Sequence, residues 1–300
     1  MDTLIVIEGP TAVGKTSLAV ELARLLGTDV INADSRQMFK GMRVGTAAPS
    51  VEEMKGVKHH FVEWLEIDDY YSAAMFEEDV LKLLDKMFAE GTNGKALMSG
   101  GSMMYIDAVC KGIDYIPTIT AHTRQWMRER LETEGLETLC EELRVLDPEY
   151  YNIVDRRNVR RVVHALEICH QTGSKYSSFR TKTVKERKFR IKKVGLTRPR
   201  EELYDRINRR VDQMIASGLE EEARRLLPYS HLNALNTVGY KEMFAYIKGE
   251  KPLDETVQTI KGNTRNYARK QLTWMRKDPD VRWFNPNETE AITDYITADD

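Results

Sequence analysis

Thr3-Leu-Ile-Val-Ile-Glu-Gly-Pro-Thr-Ala-Val-Gly-Lys-Thr16 begins with four consecutive apolar residues, three of them β-branched, and closes on a glycine-rich turn. A short β-branched run bounded by Gly-Pro is the pattern of a strand buried on both faces. Beyond the turn the period changes. Leu18, Ala19, Leu22, Ala23, Leu25 and Leu26 line one helical face, and Gly27 ends it. Between strand and helix, Gly9 to Thr16 fits G-x-x-x-x-G-K-[ST]. Gly9, Pro10, Thr11, Ala12, Val13 and Gly14 are expected to wrap main-chain amides around phosphate oxygens. Lys15 adds a point charge, and the Thr16 hydroxyl suits a Mg²⁺ ion. A diphosphate or triphosphate ligand, with Mg²⁺ as cofactor, is the expectation.

Outward from this loop, Asp29–Ala33 reads as a second strand, Ala73–Ala89 as an amphipathic helix, and Ala96–Ser99 as a third strand running into Gly100-Gly101. Alternation of strand and helix at this spacing predicts an α/β fold with a parallel sheet covered by helices. From about Thr120 to Gln171 the pattern is helical only. A strand returns at Ile191–Leu196, helices follow to about Lys277, and Val281–Phe284 closes the pattern. The expected organisation is a discontinuous core, residues 1–119 and 190–285, interrupted by a helical insertion at residues 120–189. The polar, acidic tail 286–300 is expected to be loosely held.

The chain has 300 residues, 41% hydrophobic and 31% charged. That composition excludes a disordered chain and a polytopic membrane protein. The uncharged run Ala96–Ile106 is too short to cross a bilayer. Asp2 and the brief run Leu4–Ile7 do not make a signal peptide, so no membrane partner and a cytoplasmic location are expected. Cys110, Cys140 and Cys169 are odd in number and widely spaced, which fits buried thiols in a reducing compartment. His59, His60, His122, His164, His170 and His231 show no zinc-ligand spacing. Met103-Met104-Tyr105 has two readings, core packing or an apolar wall, and Trp64, Trp126, Trp274 and Trp283 are read as packing residues.

Net charge is −2, yet Arg156–Asp212 holds 18 Lys and Arg against 6 Asp and Glu, leaving the rest of the chain at −14. A block this basic suits a polyanion. The alternative is a solvated face with acidic partners folded against it. Acidic residues near the phosphate loop are sparser. The strand Ala96–Ser99 ends in Ser-Gly-Gly-Ser, without the metal-holding carboxylate that an ATPase or kinase usually carries there. Asp34 follows the second strand instead. A carboxylate there points into the crevice where α/β proteins do chemistry, or else caps the next turn.

Further motifs carry a resemblance. Gly9–Thr16, Asp34-Ser-Arg-Gln37, Gly41-Met-Arg-Val-Gly-Thr46, Gly100-Gly101-Ser102 with Tyr105, Arg161 with Ala165-Leu-Glu167, Val238-Gly-Tyr240, and Thr264-Arg265 with Lys270-Gln271-Leu-Thr-Trp274 stand in this order. To about Trp283 the chain resembles the tRNA dimethylallyltransferases (tRNA isopentenyltransferases). The resemblance implies a P-loop NTPase-like core whose loop holds the diphosphate of an allylic donor instead of ATP. Val13, Ala48, His164 and Ser102 depart from the family's usual Ser, Lys, Arg and Thr; Ser102 keeps the hydroxyl.

What the resemblance implies is a prenyl transfer. Dimethylallyl diphosphate would alkylate the exocyclic amine of the adenosine 3′ of the anticodon, in tRNAs reading codons that begin with U. Asp34 matches the family's general base, and Arg210 its diphosphate-binding arginine; on helical pattern alone Arg210 reads as an outward arginine. Base contacts fall on Asp34, Ser35, Arg36 and Gln37, with Ser102 and Arg124. Stem and phosphate contacts fall on Arg160, Arg161, Val162, Val163 and His164, and on Leu235, Asn236, Thr237, Val238, Gly239 and Tyr240. A monomer is expected. Three rivals stand beside it: a nucleotide or metabolite kinase, opposed by the missing acidic strand tip; a non-catalytic RNA-binding paralogue, opposed by the retained Lys15, Thr16, Asp34 and Arg210; and a prenyltransferase of free adenine nucleotides, opposed by the basic helical insertion.

Overall fold

A computed structural model describes every residue except Thr92, Lys182, Asp299 and Asp300. Six strands form one sheet: β1 (Thr3–Glu8), β2 (Val30–Asn32), β3 (His59–His60), β4 (Lys95–Gly100), β5 (Arg190–Leu196) and β6 (Val281–Phe284). Their order is β3-β2-β4-β1-β5-β6, and every neighbouring pair is parallel. The sequence signal for β3 is missing because two residues cannot show a period.

Strand alternation splits the core in two. Leu4 and Val6 pack with Ile31, Met98, Phe76 and Leu84 on one face. Ile5 and Ile7 pack with Leu18, Leu22, Val194 and Leu203 on the other. Because β1 lies between β4 and β5, its last residue sits level with both neighbours: Glu8 pairs in register with Gly100 and with Gly195. The turns that leave β1 and β4 therefore emerge side by side. Ligands of open α/β sheets bind at this edge, outside the carboxyl ends of the strands.

The chain divides into two compact units. One joins Met1–Lys111 to Glu186–Asp300, and the other is Gly112–Lys185. The inserted unit thus begins eight residues before the expected boundary at 120 and ends four before 189. It contains the helices Ala121–Leu146, Pro148–Tyr151 and Val159–Thr172. Gly135, at φ 80° and ψ 166°, breaks the first of them. Met127, Leu139, Leu143, Val162, Ala165 and Leu166 make its core. Asp147 is fully buried there, accepting from the Tyr150 and Ser177 amides and the Ser177 hydroxyl.

Two expectations need correction. The tail is not loosely held: Thr289–Thr297 is a helix whose Ile292 and Ile296 are buried in the core, and only Asp299 and Asp300 lie outside the described residues. The basic block is not one surface either. Lys192 and Lys193 are 4% exposed within β5, and Arg187 is paired with Glu77 in the interior. Lys193 bonds Asp278 at 2.6 Å, while Lys192 donates to the carbonyls of Tyr295 and Ala298 at the end of the tail helix. All three cysteines are buried and unpaired. Among the described residues no helix is long and apolar enough to cross a membrane.

Glu8, the last residue of β1, is 5% exposed and its Oε1 has no hydrogen-bond partner among the described residues. Burial pushes its carboxyl up to about 7; Lys193 opposes the rise and Asp278 adds to it. An acid whose folded pKa exceeds its unfolded value stabilises most below the unfolded value and loses that contribution as pH rises through the folded one. Glu8→Gln is therefore expected to stabilise the fold by about 2 kcal/mol at pH 8 and by little at pH 4, read from urea midpoints. Equal effects at both pH values would remove Glu8 as the titrating group.

Candidate active site

The phosphate-type turn after β1 is held by side chains from four places in the sequence. Lys15, the first residue of the helix Lys15–Leu26, donates to the carbonyls of Gly9 and Pro10 at 2.9 Å each. Arg206 Nε donates to Ala12 O and Arg198 Nε to Val13 O, both at 2.8 Å. Gln271, on the helix Leu253–Met275, accepts from the Thr11 amide at 2.9 Å. The turn needs this support. Gly14 has φ 117°, and Ala12 has φ 63°, a left-handed conformation that costs a non-glycine residue about 1–2 kcal/mol. Val13, where the family usually has Ser, is fully buried beneath the turn, so its apolar side chain joins the core.

Charge accumulates at this turn. Arg210, from the helix Arg200–Ala216, reaches Ala47 O at 3.2 Å and Thr11 Oγ1 at 3.5 Å. It therefore points inward, which removes the outward-arginine alternative. Enclosure lowers the Lys15 ammonium to about 8, with Arg210 lowering it further and Asp34 raising it. Burial likewise depresses the guanidinium of Arg210, while Asp34 partly offsets this. Lys15, Arg210 and Asp34 thus share one electrostatic neighbourhood. The Thr16 hydroxyl is exposed and has no hydrogen bond among the described residues.

Asp34 follows β2 by two residues. Its Oδ1 accepts from the amides of Arg36 (3.0 Å) and Gln37 (3.4 Å). Oδ2 has no hydrogen bond among the described residues. The capping and chemical readings of Asp34 are thus compatible, one oxygen for each. The next residues are fixed one by one. Ser102 Oγ accepts from the Ser35 amide at 2.8 Å and donates to the Ser35 hydroxyl at 3.1 Å. Arg36 donates to Asn233 O at 2.8 Å, and Gln37 to the carbonyls of Thr46 and Ala47. The β4 turn comes close only because it lacks side chains: a Cβ on Gly100 would lie 2.2 Å from Ala33 O. Tyr105 and Tyr267 flank Arg36 and Asp34, and burial raises each phenol to about 12.

The candidate tRNA contacts divide by exposure. Leu235 and Tyr240 are buried, so their side chains pack in the core and only their main chain is left to meet an RNA. Tyr240 instead donates from its hydroxyl to Glu222 at 2.6 Å, and Glu222 accepts from the amides of Val44 and Gly45. Between them Asn236, Thr237 and Val238 are half-buried, and Gly239 is buried. In the second unit Val162 is a core residue, whereas Arg160 and Arg161 are exposed at the start of the helix Val159–Thr172. Val163 and His164 are half-buried, and His164 meets Glu167 at 3.4 Å and the edge of Tyr176. Arg124 lies in the first turn of the helix Ala121–Leu146.

A family model described as IPP transferase matches residues 37–278. The chain belongs to that family. A tRNA dimethylallyltransferase 1 of Phocaeicola vulgatus is 57% identical over 295 residues, spanning 98% of each chain. The tRNA isopentenylpyrophosphate transferase of Bacillus halodurans has a similar structure: TM-score 0.71, 34% identity, 99% of this chain and 96% of that one. A eukaryotic dimethylallyltransferase acting on tRNA shares the fold at TM-score 0.80 and 23% identity, over 99% of this chain and 80% of the other. The fold common to these transferases is the P-loop-like parallel sheet described above.

Sequence reasoning missed Arg198, Arg206 and Glu222, and it quoted Gln271 without a role. Arg206 sits one helical turn before Arg210, so the face that carries one carries both. Gln271 had a signal only as part of a motif. Trp64, Trp126 and Trp274 are each more than a third exposed and pack at the surface, Trp64 against Phe61 and Tyr71 and Trp126 against His170, while the Trp274 indole N–H bonds Asp107 at 2.7 Å.

An ammonium lowered to about 8 is charged below that pH and neutral above it. Wild-type affinity for inorganic pyrophosphate should exceed that of Lys15→Ala by a constant factor up to about pH 8, and the advantage should shrink as pH rises toward 10. Calorimetric titrations across pH 6.5–10 check this, and a constant ratio throughout would contradict it.

Proposed function

We propose that the protein transfers a dimethylallyl group from dimethylallyl diphosphate to the exocyclic N6 of the adenosine 3′ of the anticodon, in tRNAs that read codons beginning with U. The observation that carries this reading is Asp34 Oδ2, without a hydrogen bond among the described residues, set in the same electrostatic neighbourhood as Lys15 and Arg210. A kinase reading has less support, since β4 ends in Ser99-Gly100-Gly101 with no carboxylate. The names borne by relatives of full matching length, tRNA dimethylallyltransferases, support the reaction class.

The chemistry asks two things of the site. N6 is a weak nucleophile because its lone pair is delocalised into the purine. As the N6–C1 bond forms, Asp34 Oδ2 accepts the N6 proton. As the C1–O bond breaks, its electron pair leaves with the diphosphate, whose growing charge falls among Lys15, Arg210 and the amides of the turn. The Thr11 amide is engaged with Gln271 and the Val13 amide with Pro10 O, so the amides of Ala12, Gly14 and Lys15 serve this purpose. The exposed Thr16 hydroxyl would hold a Mg²⁺ ion. When bound, it would neutralise part of the leaving group's charge.

The acceptor base must leave its stack to reach Asp34, at a cost of a few kcal/mol. Ser35, Arg36, Gln37 and Ser102 stand beside Asp34 to receive it. Exposed Arg156, Arg157, Arg160 and Arg161 offer charge to the backbone phosphates, a smaller set than the 18 basic residues of the block.

Asp34→Asn separates the two oxygens. Asparagine keeps an acceptor for the Arg36 and Gln37 amides but cannot take the proton. Turnover should fall about 10²–10⁴-fold while melting temperature and tRNA affinity barely change. Label from dimethylallyl diphosphate, followed into tRNA, reads the outcome; near-wild-type turnover would remove Asp34 from the role. Replacing Arg160 with Ala should lower the slope of log tRNA affinity against log salt by about 0.7, and an unchanged slope would take that residue off the interface.

A further inference from the structure

Gln271 is 2% exposed and stands at the meeting point of the two turns that must act together. Its Oε1 accepts from the Thr11 amide at 2.9 Å, and its Nε2 donates to Gly101 O at 2.8 Å. One amide group therefore spans the diphosphate turn after β1 and the turn after β4. From Gly101 the path continues to the acceptor side. The Ser102 amide donates to Ala33 O at 3.1 Å, and the Ser102 hydroxyl accepts from the Ser35 amide, next to Asp34. The room for this bridge is made by a missing side chain. A Cβ on Gly101 would lie 2.5 Å from Gln271 Nε2, while its other neighbours, Gly9 O and Lys15 Nζ, would be at an ordinary 3.6 Å.

The geometry points to Gln271 as a positioning residue that sets the separation between the departing diphosphate and the base that takes the N6 proton. It rests on the reaction proposed above. The residue type follows from the two partners. Thr11 offers a donor and Gly101 an acceptor, so the bridging group must present one acceptor and one donor at a fixed spacing, which a carboxamide does. A carboxylate would set oxygen against oxygen at Gly101, and an apolar side chain would strand two buried main-chain groups. Displacement needs N6, C1 and the leaving oxygen in line at near-contact distance. A shift of about 1 Å between the halves of a site costs on the order of 10²-fold in rate.

The full-length protein is assayed in single turnover with dimethylallyl diphosphate and tRNA, each variant well below its own melting temperature. Gln271→Leu and Gln271→Glu should lower the transfer rate about 10–100-fold, with donor KM and tRNA Kd changed less than about threefold. Gly101→Ala should slow the wild type similarly, because its methyl strikes Nε2. In a Gln271→Ala background, where that amide is gone, the same change should add little. A rate within about twofold of wild type in the Gln271 variants, a loss confined to KM, or fully additive effects of the two sites would each overturn the assignment. An inactive wild type would overturn the reaction as well, whereas an active wild type with unaffected variants overturns Gln271 alone.

Discussion

The constraint on which the site depends is the gathering of like charge around a single turn. Lys15, Arg198, Arg206 and Arg210 converge on residues 9–14, and three of them spend hydrogen bonds on its carbonyls. Arg198 is balanced by Glu202. Arg206 and Arg210 have no carboxylate in ion-pair contact among the described residues, and each is depressed first by burial and then in part by a neighbouring arginine. Buried charges in this state are costly unless something opposite in sign shares the space. The diphosphate of the proposed donor would do so, and more fully as it leaves, when its charge is greatest. The positive groups are already in place before the bond breaks, and this fixed placement is what makes electrostatic stabilisation effective.

Placing the acceptor beside that turn is the work of the sheet. With β1 between β4 and β5, residues almost a hundred positions apart in sequence end level with one another, and Gly100 and Gly101 let the β4 turn close on Ala33 and Gln271. Ser35, Arg36 and Gln37 are then each tied down, to Ser102, to Asn233, and to Thr46 and Ala47. Rigid placement of this kind suits a reaction whose acceptor arrives on a large, flexible RNA: what the ligand leaves mobile, the protein has already ordered.

Much of this was legible in the sequence where a local rule governs. The turn Gly9–Thr16 is dictated by glycine and lysine spacing, and the strand–helix alternation around it gives the parallel sheet. Legibility fails where one side chain answers to a distant partner. Lys192 and Lys193 read as surface charge because nothing nearby in sequence reveals Asp278 or the carbonyls of the tail helix that receive them. Tyr240 reads as a contact residue within a motif; it is a core residue because Glu222 waits for its hydroxyl. The tail reads as polar, yet Ile292 and Ile296, four apart, are enough to seat a helix. Val13 is the converse case, a departure from the family's usual Ser that becomes intelligible once the space beneath the turn is seen to be apolar.

Asp34 shows how a site can ask one residue for both structure and chemistry. A carboxylate that only capped a turn would be satisfied by two amides, and a carboxylate that only accepted a proton would have no need of them. Here the amides of Arg36 and Gln37 hold Oδ1, and that bond fixes the direction in which Oδ2 is presented. Orientation of the reactive oxygen is thereby supplied by the turn that the base-contacting residues themselves form. Because Ser102 fixes Ser35 in the same turn, a displacement of the β4 turn would move the carboxylate along with the residues expected to receive the base. The proposed proton acceptor and the residues beside it are thus one mechanical unit, and its distance from the turn after β1 is the remaining degree of freedom that the buried Gln271 amide closes.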